Sequence, residues 1–128
     1  MATLNAKVTL SSSDLGTSNL SLAVTKPITV TGGGVKTVKI TGTNAGTANL
    51  IYTADDFAAP MYLYLKNLDT TASDFLWVID DTSTGDPIIA KLAGGDWAFL
   101  PNNADKTYKV YATTTGTMLE FGIFGTDQ

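Results

Sequence analysis

The alternation of apolar and polar residues early in the chain constrains its fold more than any other feature. Leu20, Leu22 and Val24 are separated by small or polar residues, and Val38 and Ile40 repeat the same spacing. Because successive side chains of a strand point to opposite faces of a sheet, this two-residue period predicts β-strands with one buried and one wet face. Residues 7–10 predict a shorter strand of the same kind.

Two continuous apolar runs in the middle of the chain, 61–65 and 75–79, differ from the alternating segments. Each run is too short for a typical buried helix and is rich in aromatic and β-branched side chains. Such runs predict strands that are covered on both faces, or by the core on one face and by a partner on the other. Four more apolar runs are predicted strands as well: 87–90, 97–100, 108–111 and 118–121.

Clusters of turn-forming residues separate these segments, namely 32–34, 42–46, 81–85, 94–95 and 101–103. About ten short strands with such punctuation predict an all-β fold, an antiparallel β-sandwich or jelly-roll-like domain. We expect residues 20–128 to form this single domain. Residues 1–19 are expected to form either an N-terminal arm, ordered by strand addition to a neighbouring subunit, or an ordinary first strand followed by a surface loop.

The residue types that the sequence lacks narrow its chemistry. It contains no histidine, no cysteine and no arginine, and eleven of its twelve acidic residues are aspartate. Without histidine or cysteine there is no Ser–His–Asp or Cys–His nucleophile, and zinc loses its preferred ligands. A net charge of −4 disfavours nucleic acid as a partner. The sequence has no run of 18 apolar residues, so no membrane span is predicted. We therefore predict no enzyme, no cofactor and no metal site.

Three groups of residues are candidates for a calcium, catalytic or sugar-binding site. The acidic stretch 80–86 has oxygen ligands for calcium, but its spacing is not that of an EF-hand, and a polar hairpin loop is the preferred interpretation. Glu120 and an aspartate could form a glycosidase pair, but a solvent-facing charge in a strand is preferred. Trp77 and Trp97 could form an aromatic platform for a sugar, but core packing is preferred.

Several segments resemble small structural proteins of tailed bacteriophages. The resemblance lies in the opening strand, the central strand, a turn of glycine, acid, aromatic and proline residues, and the closing strand: 6–15 with 20–22, 62–67, 92–101 and 119–124. It implies a virion component most similar to a capsid decoration (cement) protein. Such a protein forms a homo-oligomer, often a trimer, on the capsid exterior, binds the major capsid protein and clamps neighbouring capsomers without catalysis.

Tail, collar and fibre-associated proteins share the same segments, so a carbohydrate-binding or adhesin-like module is the alternative. In either case, the apolar runs 61–65 and 75–79 exceed what one small core easily absorbs, and the N-terminal segment could be ordered by a neighbouring subunit. We therefore predict partner contacts at Leu4, Val8, Leu10, Met61, Tyr62 and Tyr64.

Overall fold

A computed structural model of the chain describes residues 2–14, 16, 19–81 and 84–127. Seven residues lie outside this description: Met1, Leu15, Thr17 and Ser18 of the predicted segment 1–19, Thr82 and Ser83 of the predicted turn 81–85, and Gln128. The described residues form ten strands: β1 (Ala2–Ser12), β2 (Leu20–Val30), β3 (Gly32–Ile40), β4 (Asn49–Tyr52), β5 (Phe57–Asn67), β6 (Leu76–Asp80), β7 (Ile88–Leu92), β8 (Trp97–Asn102), β9 (Tyr108–Ala112) and β10 (Thr117–Asp127). The predicted all-β class is confirmed.

The strands form two four-stranded sheets and one hairpin. The front sheet has the order β3-β10-β5-β8, and the back sheet has the order β4-β9-β6-β7. All neighbouring strands are antiparallel. Among the described residues, β1 and β2 pair with each other and with no other strand, and we call this hairpin the arm. The two larger sheets form an antiparallel β-sandwich, whereas the division of the chain at residue 19 remains a prediction.

The core lies between the front and back sheets. Met61, Leu63 and Leu65 of β5 point into it, because side chains of a strand alternate between faces. Packing of both inner faces excludes water from one apolar cluster that includes Ile40, Met61, Leu63, Leu65, Leu76, Val78, Tyr108, Val110 and Leu119. The run 61–65 is therefore divided: its odd residues face the core, and Tyr62 and Tyr64 lie on the outer face of the front sheet.

Asn67 is the fully buried polar residue at the end of β5. Its amide nitrogen donates hydrogen bonds to the carbonyls of Asp74 and Leu92, at 2.7 and 3.1 Å, and its side-chain oxygen accepts one from the Asp69 backbone at 3.0 Å. A buried amide is tolerated only when its polar atoms are paired, as they are here. Asn67 thereby fixes the loop after β5 against the loop after β7.

The arm is joined to the sandwich at the end of the hairpin that lies away from its turn. Thr31, directly after β2, donates its backbone N–H to the carbonyl of Gly125 in β10 at 2.9 Å. Next to this anchor, Ile28 and Val30 are buried against Tyr62, with Phe99 and Phe124 packed around them. This second, smaller cluster makes part of the arm a third layer on the outer face of the front sheet.

Candidate interaction surface

The arm has one apolar face and one polar face. In its register Leu4 pairs with Ile28, Val8 with Val24, and Leu10 with Leu22. Directly paired residues of an antiparallel ladder lie on the same face, so these six side chains share a face. The intervening pairs, such as Thr9 with Ala23, share the opposite face.

The apolar face of the arm is covered at one end and bare at the other. Its covered end, the arm base, comprises Leu4, Ala6, Ile28 and Val30, which pack on the front sheet. Its bare end, the arm tip, comprises Leu10, Leu20, Leu22 and Val24, with exposures of 49%, 38%, 46% and 55%. Contiguous exposed apolar surface of this kind marks an interaction site far more often than single exposed hydrophobic residues do.

The outer face of the front sheet carries a row of residues beside the arm. The register places Val35, Gly122, Tyr64 and Phe99 side by side across β3, β10, β5 and β8. A side chain at Gly122 would meet the Phe124 ring at 2.9 Å. Glycine at this position therefore lets the Phe124 ring lie flat on the sheet, where it supports the arm base.

A groove separates the arm from this row. It is lined on the arm side by Leu4 to Val8 and on the sheet side by Val35, Tyr64, Trp97, Phe99 and Phe124, and its volume is about 290 Å³. Val35 and Trp97 are 56% and 54% exposed. The arm tip and the groove are thus two uncovered apolar surfaces of the molecule.

Tyr64 and Glu120 form a polar pair at the floor of the groove. The Tyr64 hydroxyl donates to Glu120 Oε1 at 2.7 Å. Burial, followed by the hydrogen bond to Glu120 and its negative charge, raises the pKa of Tyr64 to about 12. Glu120 is half-buried on β10 and its carboxylate accepts this hydrogen bond, so it is only in part the solvent-facing charge that the sequence predicts.

The two tryptophans have different environments. Trp97 is exposed, so the prediction that it packs in the core is wrong. Trp77 is half-buried on the outer face of the back sheet, stacked on Tyr111 at 5.2 Å between centroids and touching Phe75 at 5.8 Å. The Lys91 ammonium lies 5.5 Å from the Trp77 ring. These neighbours occupy the ring faces that a sugar would need.

A larger cavity of about 510 Å³ opens at the edge between β3 and β4. Its titratable lining residues are Lys36, Tyr52 and Asp56. The Tyr52 hydroxyl is already paired, because it donates to the Ala104 carbonyl at 2.9 Å and accepts from the Phe57 backbone at 3.2 Å. The lining therefore offers one carboxylate, Asp56, rather than the pair that glycoside hydrolysis uses.

The acidic stretch 80–86 connects β6 to β7: Asp80 is the last residue of β6, and Thr82 and Ser83 lie outside the described residues. Asp80 is buried, and Asp81 forms an ion pair of 2.9 Å with Lys109. Across residues 2–14, 16, 19–81 and 84–127, no three acidic side chains come together as a metal-binding group. Within the same ranges, no helix is long and apolar enough to cross a bilayer.

The predicted partner-binding residues are distributed over three places. Leu10 lies exposed on the arm tip, whereas Leu4, Val8 and Tyr64 are half-buried around the groove. Met61 is fully buried in the core, and Tyr62 is buried under the arm base. These last two side chains pack inside their own chain and present no surface to a partner.

Five exposed apolar residues of the surface were missing from that prediction: Leu20, Leu22, Val24, Val35 and Trp97. The alternation at 20–24 contained the signal for three of them, because it predicts an apolar strand face. From the sequence alone, this apolar strand face is expected to turn toward the core.

No protein-family model matches the chain, and no characterised protein matches its sequence.

Proposed function

We propose that the chain is a structural protein that acts through apolar docking, and specifically a virion component that decorates and cements the outer surface of a capsid. One observation carries the proposal: the apolar face of the arm continues beyond the sandwich and is left bare at Leu10, Leu22 and Val24. Bare apolar surface costs free energy in water at about 25 cal/mol per Å², so a protein that keeps it has a surface to dock.

The charge distribution supports a position outside the shell. The chain carries a net charge of −4 and no arginine, so it has little attraction for packaged DNA. We propose two partners, further copies of the chain in a homo-oligomer, as in the trimers of decoration proteins, and the major capsid protein. Contacts that are individually weak add up when an oligomer binds several capsomers at once.

The mechanism is mechanical rather than chemical. Apolar and backbone contacts that cross the boundary between two capsomers raise the free energy needed to separate them. The sandwich supplies a rigid body, because its core and its buried Asn67 are fully packed and paired. The arm supplies the reach. No catalytic residue, cofactor or metal takes part in this proposal.

The test is to add the purified chain to empty shells of the encoding virus that lack it, and to follow shell rupture on heating. We expect binding and a higher rupture temperature. Leu22→Asp should abolish both, whereas Ala23→Asp, the same charge on the opposite face of the arm, should leave both intact. Shells that neither bind the chain nor gain resistance would overturn the proposal.

A second candidate is a carbohydrate-binding or adhesin-like module of a tail or fibre, and the exposed Trp97 favours it. A single exposed indole can stack on a sugar ring. The test is a glycan screen followed by tryptophan fluorescence. Sugar binding that shifts the emission of wild type but not of Trp97→Phe supports the module, and Trp77→Phe is the matched control. A screen without binding removes this candidate.

A further inference from the structure

The groove beside the arm holds space that its own chain leaves unfilled. Its volume of about 290 Å³ is room for about two side chains of leucine size. Apolar side chains dominate both walls, with Val8 on the arm and Val35 and Trp97 on the sheet. A groove with this lining gains most from an apolar occupant.

The arm tip of the same chain cannot fill this groove. β1 and β2 pair without a register shift from Ala2 with Val30 to Ser12 with Leu20, so the arm is a continuous ribbon. A strand rises about 3.3 Å per residue, which places Leu10 about 20 Å along the ribbon from Leu4 at the base. Any occupant therefore comes from another molecule.

We propose that the arm tip of a second copy of this chain docks in the groove, so that each copy donates one arm and receives one. Leu10 and Leu22 of the donor then lie over Val35 and Trp97 of the acceptor. The inference rests on the proposed function, since it names the contact through which the structural protein associates with itself. Two copies that exchange arms in this way form a closed two-fold dimer, and head-to-tail contacts form a larger ring where the rotation between copies closes.

The area that exchange would bury fits a stable assembly. The exposed fractions of the arm tip, Val35 and Trp97 correspond to about 500 Å² of apolar surface per copy. Apolar atoms make up roughly 60% of an interface, so the total is about 800 Å² per copy. In a two-fold dimer, where both arm contacts join the same two copies, this is the area that one partner contributes to a specific interface of standard size.

Charges at the two surfaces are complementary. Asp14, which accepts a hydrogen bond from the Ser12 hydroxyl at 2.9 Å, is the acidic residue at the end of the arm. Lys7 lines the groove, whereas Lys66 at its margin already lies opposite Glu120 in the ladder. Docking of the tip brings Asp14 to the side of the groove that carries Lys7, which is a favourable pairing of opposite charges.

Cysteine cross-linking tests the contact directly, because the chain has no cysteine of its own. Chains with Leu22→Cys are mixed with differently tagged chains carrying Val35→Cys, and the mixture is oxidised. A disulfide needs the two Cα atoms within about 7 Å. We expect the mixed product to exceed either homodimer by about fivefold or more, and we expect no mixed product from Ala23→Cys with Val35→Cys.

Charge variants test the same contact without cross-links. Sedimentation should show that Leu22→Asp and Val35→Asp each weaken self-association by about tenfold or more, as loss of a central apolar anchor does. Ala23→Asp and Ile88→Asp should stay within about twofold of wild type. Ile88 is a matched control for Val35, since it is 55% exposed on a strand of the back sheet. Circular dichroism confirms that each variant is folded.

The outcomes separate this inference from the proposed function. A chain that stays monomeric at all concentrations overturns the exchange. So does a product dominated by Leu22→Cys homodimers, which would show that the arms pair with each other. If the mixed disulfide forms but the chain does not bind shells, the exchange stands and the decoration role fails. If shells bind the chain without the mixed disulfide, the reverse holds.

Discussion

Tyr64 and Glu120 are joined by a hydrogen bond of 2.7 Å on the outer face of the front sheet. Glu120 is the sole glutamate of the sequence, and its carboxylate accepts the hydrogen bond of the Tyr64 hydroxyl from the neighbouring strand. The pair fixes the floor of the groove between Val35 and Trp97. The pair also makes the free energy of unfolding depend on pH in the alkaline range.

The pKa of Tyr64, raised from 10.0 to about 12, predicts the sign of that coupling. A folded-state pKa above the unfolded value adds stability that is fully present below pH 10 and is lost as the pH rises towards 12. We expect the urea midpoint to fall over this window. In an absorbance titration of ionising tyrosines, Tyr64→Phe should remove one late-titrating group, while Tyr111→Phe should leave it in place. An unchanged titration in Tyr64→Phe would contradict the assignment.

Truncation of the core is expected to cost far more than truncation at the surface. Leu63→Ala, at a fully buried position between the sheets, should lower the free energy of unfolding by about 2–5 kcal/mol. Leu50→Ala, an exposed position on β4, should change it by about 0.5 kcal/mol or less. Urea unfolding measures both. Equal losses in the two variants would argue against the sandwich packing.

Asn67→Asp tests the buried amide. A carboxylate cannot donate to the carbonyls of Asp74 and Leu92, and it places a charge in a dry site. We expect a loss of about 2–4 kcal/mol in the free energy of unfolding at pH 7. Asn5→Asp makes the same chemical change at an exposed position of the arm and serves as the control, with almost no expected change. The idea fails if both variants unfold at the wild-type urea concentration.

Gly122→Ala should loosen the arm from the sandwich. The added methyl group would meet the Phe124 ring at 2.9 Å, so the ring that supports the arm base has to move. Overpacking of this kind costs about 1–3 kcal/mol. We expect faster proteolysis within the arm, with the sandwich intact. Gly34→Ala is the matched control, because its methyl group would meet no atom within 4 Å. An equally protected arm in both variants would count against this role for Phe124.

The strands could be predicted from the sequence because their two-residue period is a local property. Their ends were harder. The closing run was predicted at 118–121, whereas β10 extends over Thr117–Asp127. Gly122 and Gly125 interrupt its apolar pattern, and both make room for phenylalanine rings, Phe124 at Gly122 and Phe57 at Gly125. A glycine that serves such packing cannot be distinguished from a turn glycine before the neighbouring strand is known.

Which strand faces are buried by other strands could not be predicted, because burial depends on strand order. Val24 and Ile28 lie on the same face of β2, yet Val24 is exposed and Ile28 is buried under the same alternating pattern. Likewise, Trp97 belongs to an apolar run, but its neighbour Ala98 takes the inward position opposite Leu65. The candidate surface could therefore be predicted only in part: the sequence indicates Leu10 on the arm tip and Leu4, Val8 and Tyr64 around the groove, but not the exposed residues of β2.

Pro27, which lies opposite Asn5 in the arm, limits how the ribbon can grow. Proline has no N–H to offer, so within a paired strand it sits where that group would point away from the partner strand. The free margin of β2 therefore lacks a donor, and Lys26 beside it adds a charge. Both features oppose the endless edge-to-edge stacking that produces amyloid fibrils. A protein with an exposed apolar hairpin can thus remain dispersed at high concentration and still bind a partner through the apolar face of that hairpin.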